Sequence, residues 1–322
     1  MLRLDRPSGP PNPTAALFDR AEDPVELLHR HGALLLPDAG VRSPADLADL
    51  RRALGWHPAQ SLEPFAARDD LSDGVYSWPK WGAHREMCLH HEQSYGVDYP
   101  EQLLMAAVGP APATVLLADT RAVLDLIPAG LTSRIRDEGW MFVRNFLPRL
   151  GLPWSEALGA PDPSEVERIC AERFIEYEWM DGGILQLRQR RPGVHQHPAT
   201  GADCWFNDLA FMSQWSMAAA DRDVLLGAFG PFGIPFNTRL GSGDPLPQQD
   251  FQTVMDAYAQ TAVVVTMQPG DLLLVDNLLT AHGRGAYQGG WDLVTALAQP
   301  HTTDRLTDAP PNATPLLEGA TR

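Results

Sequence analysis

His90 and Glu92 stand one residue apart in Leu89-His90-His91-Glu92-Gln93-Ser94-Tyr95, and His282 lies far downstream in the stretch GDLLLVDNLLTAHGR, Gly270–Arg284. On a β-strand the side chains alternate with period two, so a His-x-Glu pair projects from one face. A distant imidazole then closes a triangle of two nitrogen donors and one carboxylate. Held on one side of a metal with the opposite positions open, that donor set suits Fe(II) in oxygen chemistry. His91 points to the other face, where Gln93 offers no anionic donor. A zinc hydrolase would use the same donor types, but the HExxH helical spacing is absent here.

The elements that must position these residues can be read from pattern. Asp23–Arg30 begins with a cap and a proline and leads into the apolar run His31–Leu36, a buried strand. Ser43-Pro44-Ala45-Asp46 opens a second helix reaching Leu54. Gln102–Ala107 reads as a strand, and Thr120–Ile127 as a helix capped by Thr120 and stopped by Pro128. Between residues 139 and 194 the pattern gives strand, short helix, a helix capped by Ser164, and the half-exposed strand Glu176–Trp179. A helix at Asp221–Leu226 precedes a Gly/Pro-rich loop, Gly227–Pro247, and a further helix, Pro247–Ala259. Ala262–Met267 and Leu272–Val275 read as an antiparallel pair about Pro269-Gly270, and Trp291–Ala298 as the last strand.

The blocks LHHEQSY followed by Pro100, HPATGADCWFN (His197–Asn207) and PGDLLLVDNLLTAHGR together resemble the taurine dioxygenase/clavaminate synthase-like family, nearest its syringomycin-type amino-acid hydroxylase branch. The resemblance runs from about Gly32 to about Pro300. It implies an α+β, β-dominated fold: a double-stranded β-helix (jelly roll) core with flanking helices and a long insertion. It also implies Fe(II) held by His90, Glu92 and His282, with 2-oxoglutarate and O2 as co-substrates. Glu92 favours hydroxylation or desaturation over halogenation, because related halogenases replace this carboxylate with a small residue. Thr114 matches a family Thr that hydrogen-bonds 2-oxoglutarate, although the two glycines usual before it are missing. Phe206 and Asn207 fall where relatives line the substrate pocket, and His197 falls in a family turn outside the metal site.

One position breaks the pattern. Where the family carries F-x-G-x-R, whose Arg pairs with the distal carboxylate of 2-oxoglutarate, this chain reads Tyr287-Gln288-Gly289-Gly290-Trp291-Asp292. Trp291 therefore takes the Arg position, and an indole offers one donor and no charge. Three readings follow. Another cation, Arg284 or the Arg188, Arg190, Arg191 cluster, supplies the charge. Or the enzyme uses iron and O2 without 2-oxoglutarate, with Trp291 filling the pocket. Or the chain is a non-catalytic relative with a binding role.

Composition bounds the rest. A chain of 322 residues, 44% hydrophobic, can bury a large core. Ligands drawn from residues 90 and 282 must meet in space, so residues 15–302 read as a single domain with an insertion at about 139–194. Residues 1–14 read as a Pro-rich disordered arm and 303–322 as a mobile tail. The net charge of −16 argues against nucleic acid and anionic membranes as partners, and does not favour docking to an acidic carrier protein. A small-molecule substrate remains. Three widely spaced cysteines and no apolar leader or span point to a reduced, cytoplasmic protein. The irregular stretch 56–88, with Trp56, Tyr76, Trp78, Trp81 and His84, could wall a pocket for an apolar or aromatic group.

Overall fold

The structure is a computed structural model that describes residues 1–5, 17, 22–287 and 292–302. Local chemistry decides where its helices begin. Asp23 caps α1 (Pro24–His31) by accepting from Val25 N at 2.7 Å, and Gly32 ends that helix at φ 74°. Ser43 caps α2 (Pro44–Ala53), accepting from Asp46 N at 3.2 Å. Both side chains satisfy N–H groups that a helix start leaves without partners.

The strands of the first half are β1 (Leu2–Arg3), β2 (Ala33–Val41), β3 (Val75–Ser77), β4 (Met87–His90), β5 (Asp98–Ala107) and β6 (Ala113–Asp119). Helices α3 (Thr120–Leu126) and α4 (Ala129–Glu138) follow, then β7 (Trp140–Phe146), α5 (Trp154–Leu158), α6 (Pro163–Glu172), β8 (Glu176–Met180) and β9 (Ile184–Arg191). A hairpin of β10 (Val194–Gln196) and β11 (Asp203–Trp205) leads to α7 (Ala219–Gly233), β12 (Phe236–Leu240) and α8 (Gln248–Thr261). The chain closes with β13 (Val263–Met267), β14 (Gly270–Asp276), β15 (Thr280–Arg284) and β16 (Leu293–Thr302).

The larger main sheet runs β1-β2-β14-β5-β16-β3, with β1 parallel to β2 and the other neighbours antiparallel. Both of its faces are buried, which is why Leu34–Leu36 and Leu272–Leu274 read as unbroken apolar runs rather than alternating ones. Leu34, Leu36, Leu104, Leu272 and Leu274 pack outward in a cluster with Leu27 and Leu28 of α1 and Leu47 and Leu50 of α2. Leu35, Leu103, Met105, Leu273, Val275 and Leu297 face inward. They meet Val115, Leu117, Val265 and Met267 of a second sheet, β13-β6-β15-β4, in one core. The outer face of that second sheet is open to solvent, with Val264 at 69% exposure.

A third sheet, β12-β7-β9-β8, carries α5 and α6 over its own small core of Phe146, Val166, Ile169, Leu185 and Leu187. Fold class is thus mixed α and β, with most of the core built on strands.

Several expectations are corrected. The first residues do not hang loose, because Leu2 and Arg3 pair with Leu34 and Leu35 and extend the main sheet; residues 6–14 and the 303–322 tail lie outside the described residues. Ala262–Met267 and Leu272–Val275 are not partners: Pro269-Gly270 is a corner between sheets, β13 pairing with β6 and β14 with β2 and β5. The expected loop 227–247 contains the end of α7 and all of β12, which pairs with β7, so the third sheet draws on residues beyond the 139–194 insertion. Helix starts slide by one or two residues where a better acceptor precedes the expected one: Asp119 caps α3 and Asp162 caps α6. Among the described residues no helix is long and apolar enough to cross a membrane.

Candidate metal centre

The site is built where β15 and β4 run side by side. His282 and His90 are direct register partners, so their side chains share a face, with ring centroids 4.4 Å apart. That face is the inner one, because His282 is also the partner of Leu117, which sits in the core. Aromatic side chains enclose the pair. Phe211 stacks on His90 at 4.4 Å, Phe65 meets the same ring edge-on at 6.1 Å, and Trp78 meets His282 at 5.8 Å. Trp78 and Trp81 also line a cleft of about 420 Å³ with Ser77, Lys80, Tyr287 and Asp292, so Trp78 is a wall common to the cleft and the histidines.

The turn after β14 fixes the segment that follows β4. Asp276 Oδ1 accepts from Leu278 N and Leu279 N at 3.1 and 3.0 Å, which shapes the turn into β15. Asn277, fully buried, accepts from Glu92 N at 2.9 Å and donates to Glu92 O and Pro100 O at 2.9 and 2.8 Å. Its own carbonyl accepts from His91 Nδ1 at 2.6 Å. One side chain thereby holds the backbone that carries Glu92.

Close approach of β4 and β15 also needs Gly283. A Cβ there would meet Met87 O at 2.6 Å and Cys88 O at 2.9 Å, and both are main-chain atoms that cannot swing aside. Gly283→Ala is expected to cost about 1–3 kcal/mol and to part the two histidines. Chemical denaturation and metal titration of the variant check both effects.

Electrostatics favour neutral imidazoles. Burial lowers the His90 pKa to about 4 and that of His282 well below the ordinary value, so both rings are in the ligand form at neutral pH. His90 Nδ1 donates to Cys88 O at 2.9 Å, which leaves the lone pair on Nε2. His282 Nδ1 is buried without a hydrogen-bond partner among the described residues. The Glu92 carboxylate is buried too, and its Oε1 accepts from Arg68 Nη1 at 2.8 Å. These donor types suit Fe(II), but the structure brings only the two imidazoles face to face. The Glu92 carboxylate is held by Arg68, and the three do not form, among the described residues, a cluster with ligand atoms within 4.8 Å of one another.

A different trio, His29, His197 and Asp276, has its potential ligand atoms all within 4.8 Å of one another. Its hydrogen bonds argue against a metal. His197 Nδ1 accepts from Ala199 N and Thr200 N at 3.3 and 3.1 Å, which places the ring proton on Nε2, donated to Asp276 Oδ2 at 2.9 Å. A metal on Nε2 would force the proton onto Nδ1, against two N–H donors. The pair is a structural clamp between the 197–201 turn and the end of β14.

Asp208 Oδ1 accepts from His91 N at 2.9 Å, and burial pushes its carboxyl up to about 7. Since the unfolded value is ~3.9, the folded state holds this proton more tightly. The stability it contributes is present below ~4 and is lost as pH rises through about 7. Asp208→Asn, which cannot ionise, is expected to gain on the wild type in thermal midpoint as pH is raised from ~4 to ~8. Parallel melting curves across that range check it.

The other expected site residues are placed elsewhere. Thr114 is exposed on the outer face of β6, paired with Thr266, because it is out of phase with the inward Val115 and Leu117. Arg284 is tied to the carbonyls of Arg85, Trp81 and Gly82 and stacks on Tyr287 at 4.7 Å. Arg188 faces Glu176 at 3.3 Å, Arg190 shares its face of β9, and Arg191 donates to Tyr95 O and Arg173 O. Phe206 packs with Tyr99, Cys204, Leu278 and Leu279 in a cluster apart from the histidine pair. Asn207 donates to Gly193 O and accepts from Leu209 N, a structural role. Trp291 lies outside the described residues. Of the aromatic stretch, Trp78 and Trp81 do flank the site, while Trp56 packs behind the main sheet. Arg68 and Phe211 went unread in the sequence; neither belongs to a repeating pattern.

The family model described as taurine catabolism dioxygenase TauD, TfdA family matches residues 11–296. The dapdiamide synthesis protein DdaC of Enterobacter agglomerans is 27% identical over 277 residues, 85% of this chain and 84% of that protein. A clavaminate synthase-like protein of Arabidopsis thaliana is 22% identical over 272 residues, 80% and 78% of the two chains. A solved taurine dioxygenase from Burkholderia xenovorans aligns with TM-score 0.47 and 13% identity over 94% of this chain and 91% of that one. The match spans both histidines, Glu92 and the strands that carry them, and the chain belongs to the TauD, TfdA dioxygenase family.

Proposed function

We propose that this chain is a non-haem Fe(II)-dependent dioxygenase that uses O2 and 2-oxoglutarate to hydroxylate, desaturate or cyclise a small amino-acid-like or natural-product metabolite. The observation that carries the reading is the pairing of His90 with His282 on adjacent strands, two residues from a buried Glu92, within a matched dioxygenase family. His90, Glu92 and His282 are the ligand set. DdaC, which its name places in dapdiamide synthesis, supports a natural-product substrate. The two antiparallel sheets facing one core read as a double-stranded β-helix, residues 15–302 as a single catalytic domain, and the compartment as cytoplasmic.

Bound iron supplies the O2-activating chemistry. The chain supplies the rest. Phe65, Phe211 and Trp78 keep water from the histidine face and fix the ring planes. Cys88 O holds His90 in the tautomer that presents Nε2. The cleft beside Trp78 and Trp81 gives a substrate a path to the same wall.

A second reading, an iron enzyme that dispenses with 2-oxoglutarate, is favoured by the engagement of Arg284 with main-chain carbonyls. Anaerobic reconstitution with Fe(II), followed by 2-oxoglutarate, separates the two. A visible charge-transfer band supports the main reading, and tight iron binding without a band supports the second. Failure to retain iron would leave a binding protein.

A further inference from the structure

Arg68 enters the core from the irregular segment before β3, and its side chain is 4% exposed. Nη1 donates to Glu92 Oε1 at 2.8 Å and Nε to Ser77 O at 3.2 Å, while the guanidinium lies 5.2 Å above the Tyr76 ring. Nη2 is buried and has no hydrogen-bond partner among the described residues. Tyr76 is the register partner of Thr295, an inward residue of β16 whose Oγ1 is likewise buried and without a partner among the described residues. Two polar groups left unsatisfied along one wall of a core are costly unless something completes them.

Charge gives the class of ligand. Arg68 balances Glu92, and imidazoles bind metals as neutral ligands. A divalent cation in this enclosure then leaves a positive surplus equal to its own charge, offset only in part by the buried Asp208. A dianion removes that surplus, and guanidinium recognises carboxylate in particular.

We propose that Arg68 is the carboxylate anchor of this site, receiving the distal carboxylate of a dicarboxylate co-substrate and leaving its keto-acid end for the metal. The proposal rests on the iron and 2-oxoglutarate reading and supplies the cation that the sequence lacks at Trp291. Thr295 Oγ1 is the neighbouring group available to the same ligand. Arg284 and Arg191 are unsuited, each being committed to main-chain carbonyls.

The test compares two keto acids on the anaerobic Fe(II) protein, read by the charge-transfer band. 2-Oxoglutarate carries the distal carboxylate and pyruvate lacks it. The wild type is expected to prefer 2-oxoglutarate. Arg68→Gln is expected to weaken 2-oxoglutarate roughly 10–100-fold more than it weakens pyruvate, and Arg68→Lys to recover part of that preference. Should Arg68→Gln misfold, the ratio in Arg68→Lys alone decides, since a point charge cannot reproduce the guanidinium fork. If both keto acids weaken equally, with iron affinity, Arg68 only holds Glu92 and the proposal is overturned. An unchanged preference for 2-oxoglutarate also overturns it. Wild-type protein that binds no iron refutes the underlying reading instead.

Discussion

His282→Ala is expected to abolish metal retention. The substitution removes one of the three proposed donors from the middle of the inner face, where His282 is the register partner of both His90 and Leu117. Even residues that merely orient a ligand are worth about 10–100-fold in metal affinity, so loss of a donor itself should exceed ~100-fold. The fold should survive. Among the described residues His282 Nδ1 has no partner to lose, and the ring is uncharged by burial, so the cost is mainly that of the space left beside Trp78 and His90. Two measurements check this: iron content after anaerobic dialysis, and the rise in melting temperature on adding Fe(II), which follows mass action only if the folded protein binds. A variant that keeps its iron would remove His282 from the ligand set.

Asn277→Ala is expected to be the most destabilising single change near the site. It strips partners from Glu92 N, Glu92 O and Pro100 O at once. Each group is left in a place that water does not reach, at about 1–3 kcal/mol apiece. With partial relaxation the loss should be about 3–5 kcal/mol, a large share of the stability of an ordinary domain. Asn277→Asp should be no milder, because it sets a carboxylate against two carbonyl oxygens. Urea unfolding measures the first effect. Fe(II) titration of the surviving folded fraction should also show weaker binding, since the same side chain positions Glu92.

Period two explains part of what the sequence made legible. It placed strands under His90 and His282, which the structure sets opposite one another, while His91 turns away toward Asn277 and Phe206. The same-strand reading of Glu92 is corrected: β4 ends at His90, and Glu92 lies in the turn beyond it, positioned by Asn277 rather than by strand alternation. Capping chemistry located α1 and α2, where Asp23 and Ser43 accept from backbone N–H groups of the first turn and a proline follows each. It misplaced α3 and α6 where Asp119 and Asp162 outcompete Thr120 and Ser164. Thr114 shows the limit of reading by analogy: strand phase is set by Val115 and Leu117 going inward, and that sends Thr114 out. Arg68 and Phe211 carry no local signature. Their roles come from tertiary contacts with Glu92 and His90, which no spacing within their own segments encodes.

The order of the main sheet bears on how the protein is made. β14 lies between β2 and β5, and β16 between β5 and β3, so the last segments of the chain occupy interior places among the first. On a ribosome, β5 emerges long before either of its neighbours exists and β2 with only β1 beside it, so both must wait with unpaired edges. Sequence-distant pairing of this kind is slow. The His90–His282 pair is therefore expected to form only after β15 has emerged, and the nascent chain to depend until then on whatever shields its open edges.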